Sequence, residues 1–408
     1  MFKLRHKFPR HSGIVFLMST LYTLVFAVAS PILPLFIKSL VKSDTYVGLV
    51  IALSSVEWII FTIMMSYLLK RMKKVPLTKI ALAGFALCYA IIPHVTSIWQ
   101  FLLVDLFRSL FAAGATVTMG LFIRDIAGKK NIGKVEGFYF TLFNIAWLAG
   151  PLAGGFVAGI FSQSAAFSLA AIIAATAFCV IMVGKIKEKT NIEQDTERFF
   201  TKIKAYFRIS NLTIIYLIGI GLATWWVALY TYVPLFVTEH GFTEKTVGIT
   251  LALFTIPLIL LDFFAGWLAD RYGYRRFLSS AFLIMSILIM VAAFTQNIYM
   301  FIGLLVAGCI GAAFIEPLHE AYFFKAVSKK SETRFYPVFR TGYEVGYLAA
   351  PLIFSGIMFV SNGSFKALFL VAAIMMLFFC LMAVMLKKIK KKGSGEVIIE
   401  GGSEKEVA

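Results

Sequence analysis

Ionisable side chains interrupt the long apolar stretches of this sequence at a small number of positions. These residues are Glu57, Asp105, Arg108, Asp262, Glu316, His319, Glu320, Arg340 and Glu344. A charge in an apolar membrane helix costs roughly 2.5–3.5 kcal/mol, so each of these positions needs a reason. Carboxylates and guanidinium groups in such surroundings can hold protons and charged ligands, which is the chemistry of a coupled carrier.

The spacing of these residues leaves two interpretations open. Asp105 and Arg108 are three residues apart, and Arg340 and Glu344 are four apart, so each pair shares one face of a helix. Each pair could therefore be a static ion pair or part of a binding site. Glu57 has no charged neighbour on its own stretch, and burial favours the protonated form of an unpaired carboxylate. We predict proton coupling at Glu57, with Glu344 as the second candidate.

Other residue types suggest an amphipathic ligand rather than a metal ion. His319 lies between Glu316 and Glu320, but one helix would supply all three side chains, so we expect neither a metal nor a cofactor. Aromatic residues accompany the charges and could hold a bulky or cationic ligand by stacking and cation–π contacts. They are Tyr22, Trp58, Trp147, Trp225, Trp226, Tyr230 and Tyr232.

The composition shows which elements must position these residues. The chain has 408 residues, of which 60% are hydrophobic and only 15% charged, whereas a soluble domain has about 25% charged residues. Twelve apolar stretches are long enough to cross a bilayer. They cover 12–37, 46–69, 76–94, 98–123, 135–160, 164–184, 212–238, 245–268, 277–295, 298–323, 335–360 and 366–386. The sequence therefore predicts an all-α polytopic membrane protein with twelve transmembrane helices.

The basic residues predict the orientation of these helices. If the N-terminus is cytoplasmic, 33 of the 39 lysines and arginines fall in the chain ends and the inner loops. That bias predicts a multi-pass protein of the cell membrane with both termini in the cytoplasm. The net charge of +18 is then a topology signal and an attraction to anionic lipid, and gives no reason to expect a nucleic-acid partner.

The sequence repeats itself at a separation of 200 residues. The tripeptide Pro34-Leu35-Phe36 recurs from Pro234, and YVGLVIAL at 46–53 recurs as TVGITLAL at 246–253. One constant offset predicts two pseudo-symmetric six-helix halves. We place them at 1–184 and 211–387, joined by a cytoplasmic linker (185–210) and followed by a disordered tail (388–408).

Six plus six helices and one loop motif resemble the major facilitator superfamily. The segment GWLADRYGYRR at 266–276 is similar to the signature between the second and third span of a half in that superfamily. Its matching residues are Gly266, Asp270, Arg271, Gly273, Arg275 and Arg276. The resemblance implies a gating latch that faces the start of the fifth span near Glu136. Lys70 replaces the acidic residue in the first half, so we expect a weaker latch there.

The fifth stretch resembles a signature of the superfamily's drug:proton antiporters. The matching residues are Gly137, Gly150, Pro151, Gly154 and Gly155. Small residues at this spacing let two helices approach closely, and the proline permits a bend. The second half has Phe354 and Ser355 in place of the double glycine, so we predict a close seam in the first half alone. An ordinary packing interface is the alternative.

These observations favour a secondary active transporter that exports an amphipathic small molecule or drug, coupled to protons and acting as a monomer. An uptake, symport or facilitative carrier for a sugar, organic acid or other metabolite is the alternative on the same fold. A membrane enzyme or sensor is the alternative from another class. The sequence has no nucleotide-binding loop, zinc-protease helix or nucleophile elbow, which argues against an enzyme.

Overall fold

A computed structural model of the chain describes residues 12–69, 71–184, 186, 199–387, 389–391 and 397–399. Twelve helices in these residues are long and apolar enough to cross a membrane. Each coincides with one of the apolar stretches, so the predicted all-α fold with twelve transmembrane helices is confirmed. Helices satisfy their own backbone hydrogen bonds, which is why apolar stretches of this length form them in lipid.

The described residues form fourteen α-helices. In chain order they are α1 (Ser12–Ala29), α2 (Leu33–Val41), α3 (Asp44–Leu68), α4 (Lys74–Ile91), α5 (Ile98–Ile160), α6 (Gln163–Val183), α7 (Phe199–Phe207), α8 (Ser210–Val227), α9 (Val233–Glu239), α10 (Glu244–Tyr272), α11 (Tyr274–Phe294), α12 (Ile298–Ala326), α13 (Lys329–Val360) and α14 (Phe365–Val384). A 3₁₀ turn covers Ile92–His94, and a π-helical turn covers Ala228–Tyr232.

Two short strands lie in the segment that we predicted to be a disordered tail. Strand β1 (Ile389–Lys391) pairs antiparallel with β2 (Val397–Ile399). The rest of the tail, together with 1–11 and half of the linker (185 and 187–198), lies outside the described residues.

Two spans are interrupted at the same place in the repeat. The first predicted stretch is broken between α1 and α2, and a π-helical turn separates α8 from α9. Pro34 and Pro234 lie in the first turn after each interruption. A proline has no N–H, and its ring displaces the carbonyl group four residues back, here that of Ser30 and of Tyr230. The repeated proline therefore explains both interruptions.

The inner loop that we expected at 124–134 is helical. Helix α5 runs without interruption from Ile98 to Ile160 and contains two of the twelve spans. The expected loop has no proline, so nothing in this segment removes a backbone donor and ends the helix.

The described residues divide into two compact units. The first comprises 12–43, 53–184 and 237–252, and the second comprises 44–52, 199–236 and 253–387 with the two strands. Each unit thus contains most of one repeat and the first residues of one span of the other. The limits of the halves given above stay a prediction, and the units differ from them at 44–52 and 237–252.

Candidate functional site

A buried ion pair lies at the centre of the candidate site in the first unit. Arg108 donates from Nε to Asp105 Oδ1 at 2.6 Å, and its Nη2 lies 2.5 Å from the same oxygen. Ser54 of α3 donates to the other oxygen, Asp105 Oδ2, at 2.5 Å. Asp105 is 1% exposed. The pair that the spacing allowed is therefore formed, and both oxygens of its carboxylate accept hydrogen bonds.

Glu57 lies one helical turn beyond Ser54 and differs from Asp105 in its partners. Ser109 of α5 forms a hydrogen bond with its carboxylate. The second oxygen, Oε2, is buried and has no hydrogen-bond partner in the described part of the chain. A buried polar atom without a partner costs about 1–3 kcal/mol, and more when it is charged. Protonation removes the charge, so this carboxyl group is suited to hold a proton.

Helices α1 and α4 complete the surroundings of this pair. Tyr89 of α4 forms a hydrogen bond with Arg108. The Tyr22 hydroxyl of α1 donates to the Ala112 carbonyl oxygen at 2.8 Å. The ring of Phe85 lies 5.3 Å from the Tyr22 ring, between centroids. The charged groups thus lie among four helices lined with aromatic rings, where the low dielectric strengthens their interactions.

His319 joins three helices of the second unit. Its Nε2 lies 2.9 Å from the Ile215 carbonyl oxygen of α8, and its Nδ1 lies 3.4 Å from the Tyr343 hydroxyl of α13. Its ring stacks on Phe339 at 4.5 Å between centroids. A carbonyl oxygen can only accept, so Nε2 carries the proton and Nδ1 accepts from Tyr343. The neutral ring of His319 therefore ties α12 to α8 and α13.

The charged residues of α12 and α13 are arranged differently from the pair in the first unit. The Tyr336 hydroxyl donates to Glu320 Oε1 at 2.8 Å. The Arg340 guanidinium lies over the Tyr343 ring, 5.4 Å from its centroid. Arg340 and Glu344 form no ion pair within the described residues. Of the two interpretations left open by the spacing, the self-neutralising pair is thus not observed.

Three tyrosines lie within electrostatic range of Glu316 of α12. Tyr230, Tyr343 and Tyr347 are all close enough to interact electrostatically with its carboxylate. The ring of Trp226, which is half-buried, lies 5.7 Å from the Tyr230 ring between centroids. An acidic group among aromatic rings is the arrangement that binds a cationic organic group.

Two other aromatic residues belong to the core, not to a ligand-binding surface as we expected. Trp225 is fully buried against Gly308 of α12, where a Cβ atom would lie 2.5 Å from the indole Cη2. Tyr232 is also fully buried, and its hydroxyl donates to the Pro351 carbonyl oxygen at 3.4 Å. The sequence alone does not show which of Trp225 and Trp226 is buried, because the burial of each side chain depends on the helix that it faces.

The glycines of the fifth span face two different helices. A Cβ atom on Gly154 would lie 2.9 Å from the Val28 carbonyl carbon of α1, and Gly150 faces the same helix. A Cβ atom on Gly155 would lie 2.7 Å from Gly248 Cα of α10. At Gly137 a Cβ atom would meet nothing within 4 Å. Three of the four motif glycines therefore permit the close approach of another helix. Close packing does not explain why the fourth position, Gly137, is a glycine.

The prediction of a close seam in the first half alone is wrong. Gly248 of α10 lies against the Pro151 carbonyl oxygen of α5. At the equivalent positions, 200 residues apart, Gly48 of α3 lies against Pro351 of α13, and a Cβ atom there would be 3.1 Å from the carbonyl oxygen. The glycine of each seam belongs to the helix that faces the proline, so the sequence of the proline-bearing helix does not reveal it.

The loop motif contains one position at which the backbone conformation favours glycine. Gly273 has φ of +95°, a conformation that a side chain strains, and precedes the first residue of α11. Arg271, Arg275 and Arg276 are exposed. The surroundings of the two remaining motif residues, Gly266 and Asp270, lie outside the described part of the structure, as do those of Glu136, which the latch was expected to face.

One pair of contacts was missed by the sequence analysis. The Lys74 ammonium of α4 lies 2.8 Å from Asp125 Oδ2 of α5. At the equivalent positions of the second repeat, Lys325 Nζ lies 4.7 Å from the centroid of the Tyr274 ring. The offset of 200 maps one contact onto the other, but the sequence does not show which positions are in contact.

Twelve spans, an internal repeat and buried charged groups define a polytopic membrane carrier. The profile of the Major Facilitator Superfamily matches residues 15–246 and 228–406. The chain belongs to this superfamily, and it is a transporter and not an enzyme.

Two sequence relatives and one solved structure show how far the similarity extends. An uncharacterized MFS-type transporter of Methanocaldococcus jannaschii is 26% identical over 47% of this chain and 50% of its own length, so the chain spans only half of that relative. The class H tetracycline resistance protein of Pasteurella multocida is 22% identical over 84% of this chain and 87% of its own. A bacterial homologue of the human lysosomal transporter Spinster, in an inward-facing and occupied conformation, superposes with a TM-score of 0.76 at 13% identity, covering 91% of this chain and 95% of its own.

Proposed function

We propose that this transporter exports an amphipathic small molecule in exchange for protons, by alternating access. The observation that carries the proposal is the buried Oε2 of Glu57, which has no hydrogen-bond partner in the described residues. The similarity to a tetracycline resistance protein over most of the chain supports export of a drug-like molecule.

The two clusters of charged groups suit different tasks. Asp105 is already neutralised by Arg108, so we assign the pair to holding α3 and α5 around Glu57. Glu316 lies among tyrosines, so we assign it to the cationic or polar end of the ligand. Glu344, without an ion pair to Arg340, is the second candidate for proton binding. Proton and ligand then compete through charge, which couples their binding.

The orientation and assembly belong to the same proposal. The excess of lysine and arginine in alternate loops favours a location in the cytoplasmic membrane with both termini in the cytoplasm. The motif with Asp270 and Arg271 would then act as a cytoplasmic latch facing Glu136. We expect a monomer in the lipid bilayer.

Transport in proteoliposomes with an imposed pH gradient tests this function. The purified full chain is reconstituted, and uptake of tetracycline, a lipophilic cation and a sugar is compared with and without the gradient. Gradient-driven movement of either of the first two supports the proposal. Movement of the sugar alone, or movement that ignores the gradient, contradicts it and favours a metabolite carrier.

A further inference from the structure

Arg340 of α13 is a charged residue inside a span, and its N–H donors are unused in the described part of the chain. It lies within the span Arg334–Val360 and is exposed. Its guanidinium carbon Cζ lies 5.4 Å from the centroid of the Tyr343 ring, and the group forms no ion pair or hydrogen bond with a described residue. The ring attracts the positive charge but offers no lone pair to the five N–H donors. Charged side chains within a span face the bundle interior or a water-filled cavity, so these donors are open to a ligand.

Two carboxylates lie near Arg340 and leave its donors open. Glu320 and Glu344 are both within electrostatic range of the guanidinium, yet neither forms an ion pair with it within the described residues. Glu320 accepts instead from the Tyr336 hydroxyl at 2.8 Å. The negative charges of the two glutamates explain how an arginine is tolerated inside a span. A guanidinium binds a carboxylate best through two parallel N–H···O bonds, and neither glutamate supplies the oxygens for them.

The contacts between α12 and α13 place Arg340 level with Glu316. The two helices follow each other with a short connection, so they run antiparallel. The hydrogen bond from Tyr336 to Glu320 sets their register. Arg340 lies one turn after Tyr336, and Glu316 lies one turn before Glu320, so the two come to the same level on neighbouring helices. Tyr343 is within electrostatic range of both Arg340 and Glu316, so opposite charges lie near one tyrosine.

We propose that the transported ligand is a zwitterionic aromatic molecule whose carboxylate binds Arg340 while its cationic end lies at Glu316. This inference rests on the proposed function, which assigns Glu316 to the cationic end of the ligand. The Arg340 guanidinium donates two hydrogen bonds to the ligand carboxylate, and the aromatic body of the ligand packs against the tyrosines between the two charges. A cation without a carboxylate would leave the Arg340 donors unused and would bind more weakly.

The test compares two dyes that differ in one carboxylate. Rhodamine B is a zwitterion at neutral pH, and its ethyl ester is a cation with the same aromatic rings. Binding of each dye to the purified full chain in neutral detergent is measured by fluorescence anisotropy. We expect the parent to bind rhodamine B about tenfold more tightly than the ester, the effect of hydrogen bonds to a charged group. R340Q should bind both dyes equally, at the affinity of the ester.

Three further variants show whether the preference depends on the guanidinium of Arg340. R334Q removes another arginine of the same helix, one whose guanidinium lies over the Phe335 ring, and should keep the parental preference. R340K keeps the charge without the planar pair of donors and should keep only part of the preference. E316Q should weaken the binding of both dyes by the same factor, because both carry the cationic group.

Several results would overturn the proposal. If the parent binds the ester as tightly as rhodamine B, or binds neither dye, the ligand is not an aromatic zwitterion. If R340Q keeps the preference, Arg340 does not bind the carboxylate. If R334Q loses the preference to the same extent as R340Q, the effect is a general one of positive charge. Should R340Q fail to fold, a full preference in R340K would refute the paired hydrogen bonds.

The dye experiment is separate from the test of proton-coupled export. Binding is measured in detergent at one pH and without a gradient, so a failure of proton coupling leaves the dye preference unchanged. Conversely, gradient-driven transport of a ligand by the parent, with equal binding of the two dyes, would keep the proposed function and reject the zwitterion. Unchanged binding of both dyes by E316Q would reject the cationic half of the site.

Discussion

Lys74 forms an ion pair with Asp125 at 2.8 Å, and the same two positions of the second repeat hold Tyr274 and Lys325 in a cation–π contact. Both contacts join the third span of a repeat to its fourth. The duplication has thus kept the location of a helix-to-helix contact while its chemistry changed. Lys74 is 6% exposed, so its ammonium depends on its carboxylate partner more than a surface lysine does.

We expect Asp125→Asn to destabilise the protein by about 1–3 kcal/mol, since it leaves a buried ammonium without its charged partner. The Asp125 side chain is 27% exposed, and solvent screening places the effect at the lower end of that range. Thermal unfolding in detergent measures it. Lys325→Met removes the cation–π contact and should cost only about 0.5–1 kcal/mol. An Asp125→Asn variant that melts like the parent would show that the ion pair does not stabilise the fold.

The glycine seams give a second prediction. Gly248→Leu should prevent the close approach of α10 to α5, because even a Cβ atom would lie 2.9 Å from Gly155 Cα. We expect transport to fall and the reactivity of cysteines placed along both helices to rise. Gly48→Leu should act in the same way on α3 and α13.

A matched control is available on another span. Gly303 lies in α12, and a Cβ atom there would meet nothing within 4 Å. Gly303→Leu should therefore transport like the parent. Equal loss of transport in the Gly303 and Gly248 variants would show that the seam has no special role.

Hydropathy predicted the spans because lipid offers no partner for backbone donors and acceptors, so apolar stretches of this length become helices. The repeated Pro34 and Pro234 marked two interruptions, although the sequence analysis treated the first stretch as one span. The helical segment at 124–134 was missed, because charged residues are compatible with both a loop and a helix.

The contacts between helices were less predictable than the helices. Ser54 donates to Asp105, 51 residues away, and no local spacing relates them. Trp225 and Trp226 are neighbours, yet one is core and the other half-buried. The Asp105–Arg108 ion pair is one of the two interpretations that the spacing left open. The same spacing argument did not hold for Arg340 and Glu344, which form no ion pair within the described residues.

A third prediction concerns the loop motif. Gly273→Ala places a side chain at φ of +95°, which should cost roughly 1–2 kcal/mol. Thermal unfolding measures this loss, and Gly303→Ala serves as the control at an unstrained helical position. If Gly273→Ala unfolds at the same temperature as the parent, the glycine is not required by the backbone.

The latch gives a separate prediction. Asp270→Asn should shift the protein towards the inward-open state, measured by cysteine labelling of cytoplasmic positions. Lys70→Gln, at the equivalent position of the first repeat, should change labelling less. Unchanged labelling in Asp270→Asn would contradict the latch.

The final prediction tests proton coupling at Glu57. When the Glu57 carboxylate is ionised, its buried Oε2 has no hydrogen-bond donor in the described residues, whereas Ser109 forms a hydrogen bond with the carboxylate. Glu57→Gln mimics the protonated form, because it is neutral and nearly isosteric. We expect this variant to lose uphill transport driven by a pH gradient while still binding ligand and equilibrating it downhill. Its downhill rate should also lose dependence on pH.

Three variants show whether this effect is specific to Glu57. Asp105→Asn breaks the neighbouring ion pair and leaves Arg108 buried and unpaired, so it should reduce stability and all transport together. Glu344→Gln should abolish coupling only if both carboxyl groups carry protons in one cycle, and should otherwise leave the gradient-driven rate intact. Trp226→Ala should weaken ligand binding without changing the proton-to-ligand ratio. If Glu57→Gln and Glu344→Gln both accumulate ligand against a gradient at the parental rate, neither carboxylate carries the proton. A facilitative carrier then becomes the better account of this transporter.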